Sequence, residues 1–225
     1  MTADLLLAMG KSFLFVFAAI LPILNPAATA PIFLGLTEGA SPSTRVLLAR
    51  RIARNMFALM VGSMLIGSYV LEFFGISLPI VRVGGGLIVA AAAWRLLNAS
   101  HAGDDRRAVL AESFTPEQAR RQAFYPLTFP ISCGPGSISA AITVGVALSD
   151  TRLSMSVARM SGGVLALLAI AVLLYLAFRY AQQLLKPLGE AGSVIFLRLS
   201  AFILLCLGVQ IVWDGLSELL RELLV

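Results

Sequence analysis

Leu21-Pro22-Ile23-Leu24-Asn25-Pro26-Ala27-Ala28-Thr29-Ala30-Pro31 and Tyr125-Pro126-Leu127-Thr128-Phe129-Pro130-Ile131-Ser132-Cys133-Gly134-Pro135 carry their prolines at one spacing, the second stretch lying 104 residues after the first. Both interrupt long apolar runs. Proline has no backbone N–H and its ring clashes with the carbonyl four residues earlier, so three of them in so short a stretch predict a broken helix. In a bilayer an unpaired backbone group costs several kcal/mol, and such a break survives only where protein or a water-filled cavity satisfies the freed groups. Two breaks at corresponding places in two halves of a membrane protein are the best sequence pointer to a transport site near the bilayer midplane.

Composition agrees, since 59% of the 225 residues are hydrophobic and only 13% charged, with a mean hydropathy of +0.91. Apolar helices of about 20 residues cross a hydrocarbon core of roughly 30 Å. Six such segments are predicted, at about 10–36, 46–72, 79–97, 123–148, 155–178 and 194–216. The first runs through Pro22 and Pro31 without a short apolar region or small-residue cleavage site, so it reads as a retained helix and not as a signal peptide. The polar stretch 99–122 is a loop of mixed charge. The whole chain, 1–225, is therefore read as one membrane domain, with repeat one at 1–98 and repeat two at 123–225. Three helices per repeat is an odd number, so the second must enter the membrane from the opposite side. A further match supports this inverted repeat: Arg82, Gly85 and Leu87-Ile88 correspond to Arg198, Ala201 and Ile203-Leu204, 116 residues on. Chance likeness of two apolar helices is the competing explanation of that match.

The net charge of +5 would suggest nucleic acid in a soluble protein, but here the basic residues orient the chain and no nucleic-acid partner is expected. Twelve of the 17 lie in the first, third and fifth loops with their helix ends, among them Arg45, Arg50, Arg51, Arg54, Arg106, Arg107, Arg120, Arg121 and Lys186. The positive-inside rule then places those loops, 99–122 included, in the cytoplasm and both termini outside.

These residues resemble the MarC family of bacterial inner-membrane proteins. The likeness rests on Asn25-Pro26-Ala-Ala-Thr-Ala-Pro31-Ile-Phe33, Phe74-Gly75-Ile-Ser-Leu-Pro79, Arg82-Val-Gly-Gly85-Gly86-Leu-Ile-Val89, Pro130-Ile-Ser-Cys-Gly134-Pro135-Gly136 and Gly208-Val209-Gln210, in that order over nearly the whole chain. Asp214 departs from it, standing where family members tend to carry an amide. Pro31 stands where they differ in the small residue that ends the first break. The resemblance implies a fold grouped with the LysE-type exporters and a transporter of small neutral amino acids such as alanine and glycine. It leaves the substrate open, and the antibiotic resistance behind the family's name does not establish drug efflux.

A zwitterion carrier can also be assembled from the residues themselves. A half-helix that begins after a break offers free N–H groups and a positive dipole end to a carboxylate. Gly134-Pro135-Gly136-Ser137 has that form, with Pro135 suited to a first helical position and Ser132, Cys133, Pro130 and Ser139 around it. In the first break Asn25, Pro26, Thr29 and Pro31 are the counterparts, and the Asn25 amide can hold an ammonium or cap the next half-helix. Each also has a structural reading: Asn25 as an N-cap, the hydroxyls as helix contacts and the glycines as close-packing positions. Gln210 is deep enough to line the cavity or bond a neighbouring helix. Arg82, Arg198 and Asp214 read as helix-end residues that snorkel to the interface. A proton-driven carrier usually needs a titrating side chain in its pathway and this chain offers no obvious one, so coupling is expected instead to a sodium ion held by unwound carbonyls and hydroxyls or to nothing, with a proton as the alternative.

Rival readings are a non-transporting scaffold docked through 99–122, and a thiol electron carrier using Cys133. The second needs a partner thiol at disulfide distance, and the counterpart of Cys133 in repeat one is Thr29. Cys133 is more simply a small packing residue. No enzyme is expected, since no His, Asp and Ser cluster or metal-ligand spacing occurs. The sole histidine, His101, is read as solvated. Gly62, Ser63, Gly67, Ser161, Gly162 and Gly163 form small-residue faces for intramolecular packing or a homodimer.

Overall fold

The computed structural model describes residues 2–37, 39–98, 123–185 and 189–223. Loop 99–122, with His101 and four of its arginines, and Lys186 lie outside the described residues. The chain is helical throughout the described part: α1 (Thr2–Leu24), α2 (Pro26–Leu36), α3 (Pro42–Phe73), α4 (Leu78–Leu97), a widely wound segment (Ala123–Ser132), α5 (Pro135–Leu148), α6 (Leu153–Arg179), α7 (Ala181–Leu185) and α8 (Gly189–Leu223). Prolines start four of these helices. Pro26, Pro42 and Pro135 are the first residues of α2, α3 and α5, and Pro79 is the second of α4, positions where a missing N–H costs nothing.

Among the described residues four spans are long and apolar enough to cross a membrane: Ala3–Leu36, made of α1 and α2, Pro42–Phe73, Leu153–Arg179 and Ala201–Arg221. The wound segment and α5 form a fifth span bent by 70°, and the apolar part of α4, Leu78–Ala91, is shorter. Large apolar side chains such as Leu65, Ile66, Phe73, Trp94, Leu153 and Trp213 face outward, as they must in a hydrocarbon solvent.

The core is built from stripes at helical spacing. Leu48, Ile52, Met56, Met60 and Met64 on α3 meet Leu167, Ile170, Leu174 and Phe178 on α6 and Val16, Ile20 and Leu24 on α1. Phe33 of α2 stacks on Phe178, ring centroids 4.5 Å apart. Glycines set the closest crossings. A Cβ on Gly145 would fall on the Met64 carbonyl, and one on Gly162 on the Met9 carbonyl. Gly67 lies against Ile142, and Gly163 against Leu148 and Met64. These small-residue positions thus serve contacts within the chain, whereas Gly62 has open space around it.

The two proline breaks differ in geometry, a correction to the expectation of like breaks. Pro22 and Pro31 sit inside α1 and α2 without ending them, and only Pro26 interrupts the first copy. Asn25 makes this restart possible within one residue, because it takes the left-handed conformation (φ 39°, ψ 69°) that Asn tolerates better than most side chains. The second copy turns instead. Tyr125 and Phe129, each held off the α region by the proline that follows, are extended (φ −119°, ψ 126° and φ −113°, ψ 127°), as is Gly134 (φ −85°, ψ 173°). The Tyr125–Pro126 and Phe129–Pro130 peptide bonds are cis. Between them the chain satisfies its carbonyls five residues apart. The Thr128 hydroxyl donates to the Ala123 carbonyl and the Ser132 hydroxyl to that of Leu127, both at 2.6 Å, and the Cys133 N–H donates to Thr128 at 2.8 Å.

Candidate functional site: a cavity between two broken helices

The first break leaves α1 with free carbonyls. Pro26 has no N–H, and the Ala28 and Thr29 N–H groups both donate to the Asn25 carbonyl at 3.1 Å, so no N–H across the break reaches the carbonyls of Pro22, Ile23 or Leu24. Asn25 caps α2, its Oδ1 accepting from the Ala28 N–H at 3.2 Å. Among the described residues its Nδ2 has no acceptor. The Thr29 hydroxyl donates to the carbonyls of Asn25 and Pro26 at 3.2 and 3.3 Å.

The second break does the reverse, ending at a helix start. The Ser137 and Ile138 N–H groups donate back to the Gly134 carbonyl, while Gly134 brings no side chain to cap α5. Pro135 has no N–H, so of the first-turn N–H groups only that of Gly136 is without an acceptor among the described residues, at the positive end of the helix dipole. The Ser137 hydroxyl donates to the Gly134 carbonyl at 2.7 Å and contacts the Cys133 sulfur at 3.5 Å. Neighbouring helices come down onto this start because two glycines admit them. A Cβ on Gly85 of α4 would fall on Pro135, and one on Gly136 would fall on Ile211 of α8.

Both breaks open into one cavity of about 180 Å³. That is below the ~300–1,000 Å³ of drug-sized sites, and room for a handful of waters at about 30 Å³ each. Its polar lining is Asn25, Thr29, Ser132, Ser137, Gln210 and Asp214, and its apolar walls are Ile23, Leu24, Ile32, Val89, Ile131 and residues of α8 from Ile203 to Ile211. The hydroxyl-bearing residues are each only 3% exposed.

Of the residues singled out in the sequence, Asn25, Thr29, Pro130, Ser132, Gly134, Gly136, Ser137 and Gln210 line the cavity. Pro26, Pro31, Cys133, Pro135 and Ser139 stand outside the lining. Pro31 is buried within α2, Pro135 is packed beneath Gly85, and Cys133 is fully buried behind Ser137. Ser139 lies lower on α5 with its hydroxyl oxygen buried and unpartnered. Cys206 is exposed on α8, and both cysteines are free thiols.

Two readings of the charged residues are corrected. Asp214 does not simply reach for the interface: it lines the cavity, where Gln210, one helical turn earlier, donates to its Oδ1 at 2.8 Å. Arg82 does not snorkel alone. It forms an ion pair with Glu218 of α8 and donates to the Thr143 hydroxyl of α5 at 3.1 Å, so it joins three helices. A sequence signal existed for both, because Gln210, Asp214 and Glu218 recur every fourth residue and so share one face of α8. The apolar walls carried no signal apart from the repeat match at Ile203-Leu204.

Fold and cavity together define a class, the polytopic helical membrane protein with broken helices around an internal polar site. The sequence comparisons specify it further. The MarC family of integral membrane proteins matches residues 10–220. The protein of Escherichia coli O1:K1 / APEC named UPF0056 inner membrane protein MarC is 30% identical over 220 residues, covering 97% of this chain and 98% of its own. Its namesake in E. coli strain K12 is 29% identical over the same length. No solved structure matches the chain. The chain belongs to the MarC family.

Proposed function

We propose that this protein is a secondary transporter or exporter of small neutral amino acids, such as alanine, glycine or serine, or of a solute of similar size and charge. The observation that carries the reading is the single small cavity into which two helix breaks, 104 residues apart in sequence, both open. The breaks present opposite polarities. Free carbonyls at the C-terminal end of α1 suit an ammonium, and the Gly136 N–H at the positive dipole end of α5 suits a carboxylate, each terminus contributing roughly 0.3–2 kcal/mol depending on burial. The volume matches a solute of a few heavy atoms and excludes a large drug.

An inverted repeat of two three-helix halves, giving six spans, is part of the same proposal. Its support is that helix contacts come in exchanged pairs. With α1 matched to the wound segment, α2 to α5, α3 to α6 and α4 to α8, the α1–α6 contact mirrors that of the wound segment with α3, α2–α6 mirrors α5–α3, and α2–α8 mirrors α5–α4. The α4–α8 and α3–α6 contacts are each their own mirror image. Rocking of one half against the other about the cavity then gives alternating access. The arginine distribution supports both termini outside, and the names of the E. coli relatives support a location in the inner membrane.

The test is uptake and counterflow of labelled alanine, glycine and serine in proteoliposomes, with and without sodium or proton gradients. Saturable exchange that disappears in Gly134→Leu supports the reading. A Cβ at Gly134 comes within 2.9 Å of Val89 and 3.1 Å of the Pro130 carbonyl, so the larger side chain is driven into the cavity. Well-folded protein without flux of any of the three would overturn it.

A further inference from the structure

The cavity contains a carboxylate with no basic side chain among the described lining residues, and it shares that lining with a set of acceptor oxygens. Asp214 and Gln210 line the wall that α8 contributes, and the Gln210 amide fixes Oδ1. Among the described residues Oδ2 has no donor. No Lys, Arg or His lines the cavity. Arg82, packed against Gly215 of α8, directs its guanidinium to Glu218 and Thr143. The buried hydroxyls of Thr29, Ser132 and Ser137 have given their protons to backbone carbonyls, so they turn lone pairs to the cavity. The carbonyls of Ile23 and Leu24 add two more unpaired oxygens from the first break.

Besides the Gln210 amide, the Asn25 Nδ2 and the Gly136 N–H are the donors of the lining, and neither is bonded to Asp214 among the described residues, so its acceptor side is complemented by a cation. An ionised carboxylate in a membrane span costs at least ~2.5–3.5 kcal/mol when uncompensated near the bilayer centre, and a cation in its cavity removes that cost through charge-assisted contacts. The geometry points to a monovalent-cation site in this cavity, formed by the Asp214 carboxylate, the Gln210 that orients it and the acceptor oxygens of the first break. The cation is either the ammonium group of the solute or a small metal ion such as sodium, and both present the same single positive charge to the same oxygens. The inference rests on the transporter reading only for the identity of the solute, because the charge and the acceptors are present whatever is carried.

The experiment is equilibrium binding to the full chain in lipid nanodiscs, with labelled sodium, labelled methylammonium and labelled alanine as probes. Parental protein, Asp214→Asn and Asp214→Glu are compared, and monodispersity and helical circular dichroism are checked for each. A loss of affinity of at least about tenfold in Asp214→Asn is expected for the cationic probe that binds, as for a lost charge-assisted contact. Partial recovery in Asp214→Glu is expected too, since the charge is restored on a longer stem. Alanine displaced by methylammonium assigns the site to the solute's ammonium. Saturable sodium binding that raises alanine affinity assigns it to a metal ion. Parental affinity for every probe in Asp214→Asn overturns the site, as does the absence of any cation binding to the parental protein. Sodium or methylammonium binding that depends on Asp214 without any alanine binding keeps the site and sinks the amino-acid reading. Alanine flux undiminished in Asp214→Asn does the opposite.

Discussion

Asn25 has two separable jobs, and three substitutions tell them apart. Its Oδ1 caps α2 through the Ala28 N–H, and its backbone sits in the left-handed region at φ 39°. Alanine loses both features. A missing N-cap bond costs about 1 kcal/mol, and a left-handed alanine about 1–2 kcal/mol, so Asn25→Ala is expected to lose roughly 2–3 kcal/mol. For a chain of this length each kcal/mol moves the midpoint by about 2–4 °C, which puts Asn25→Ala roughly 4–12 °C below the parent in a detergent melt. Glycine enters the left-handed region freely and serves as a cap at a loss of only a few tenths of a kcal/mol, so Asn25→Gly should melt within about 2 °C of the parent. Transport separates the variants differently. Both remove the Nδ2 donor that faces the cavity, so both should transport alanine slowly, and Asn25→Gly does so as a well-folded protein. Equal melting of Asn25→Ala and Asn25→Gly would refute the conformational part of this reasoning. Parental transport by Asn25→Gly would refute the cavity role.

Further expectations follow from particular contacts. Gly145→Ala should lower the melting point by an amount corresponding to about 1–3 kcal/mol, because its Cβ meets the Met64 carbonyl. Gly10→Ala, with nothing within 4 Å, should leave it unchanged or slightly raised. Glu218→Gln should cost no more than about 1 kcal/mol, since the Glu218 side chain is 45% exposed and solvent or headgroups screen the pair; a thermal melt at two salt concentrations checks this. In native protein N-ethylmaleimide should modify the exposed Cys206 well before the fully buried Cys133, as read by mass spectrometry. Asp150, in the turn between α5 and α6, has its carboxyl held below the usual range by the Arg152 N–H first and by the nearby Arg159 and Arg152 charges. A depressed carboxyl stabilises the turn above its unfolded pKa and loses that effect as pH falls through the lower folded value. Amide exchange over 149–156 should therefore be equal at pH 7 and pH 5 after correction for the intrinsic rate, and faster only below the ordinary carboxyl range.

The proline spacing made both breaks legible in the sequence, and hydrophobic length located the helices to within a few residues at most ends. What the spacing could not convey is that Pro22 and Pro31 sit inside helices while Pro126 and Pro130 do not. Leu21 and Ala30 keep helical geometry before Pro22 and Pro31, Asn25 restarts a helix at Pro26 from the left-handed region, and Tyr125 and Phe129 are pushed to extended geometry before Pro126 and Pro130. Apolar periodicity also failed to identify Asp214 as a cavity residue. In an exposed helix a carboxylate near the end is ordinarily an interfacial one, and only the tertiary approach of α8 to the start of α5, where Ile211 meets Gly136, brings the still exposed Gln210 and Asp214 to the rim of the cavity. Arg82 was misread for the same reason, because its partners lie 61 and 136 residues away.

The central claim is that the two breaks form one solute site. Ala28 and Ile131 line the cavity from the first and second break respectively. Variants Ala28→Cys and Ile131→Cys, each made with Cys206→Ser so that the buried Cys133 is the one other thiol, can be labelled with a small methanethiosulfonate in proteoliposomes across a series of alanine concentrations. The account predicts that alanine slows labelling at both positions with the same half-protecting concentration, which also matches the one for counterflow. Protection at only one position, or at neither while counterflow proceeds, would contradict it.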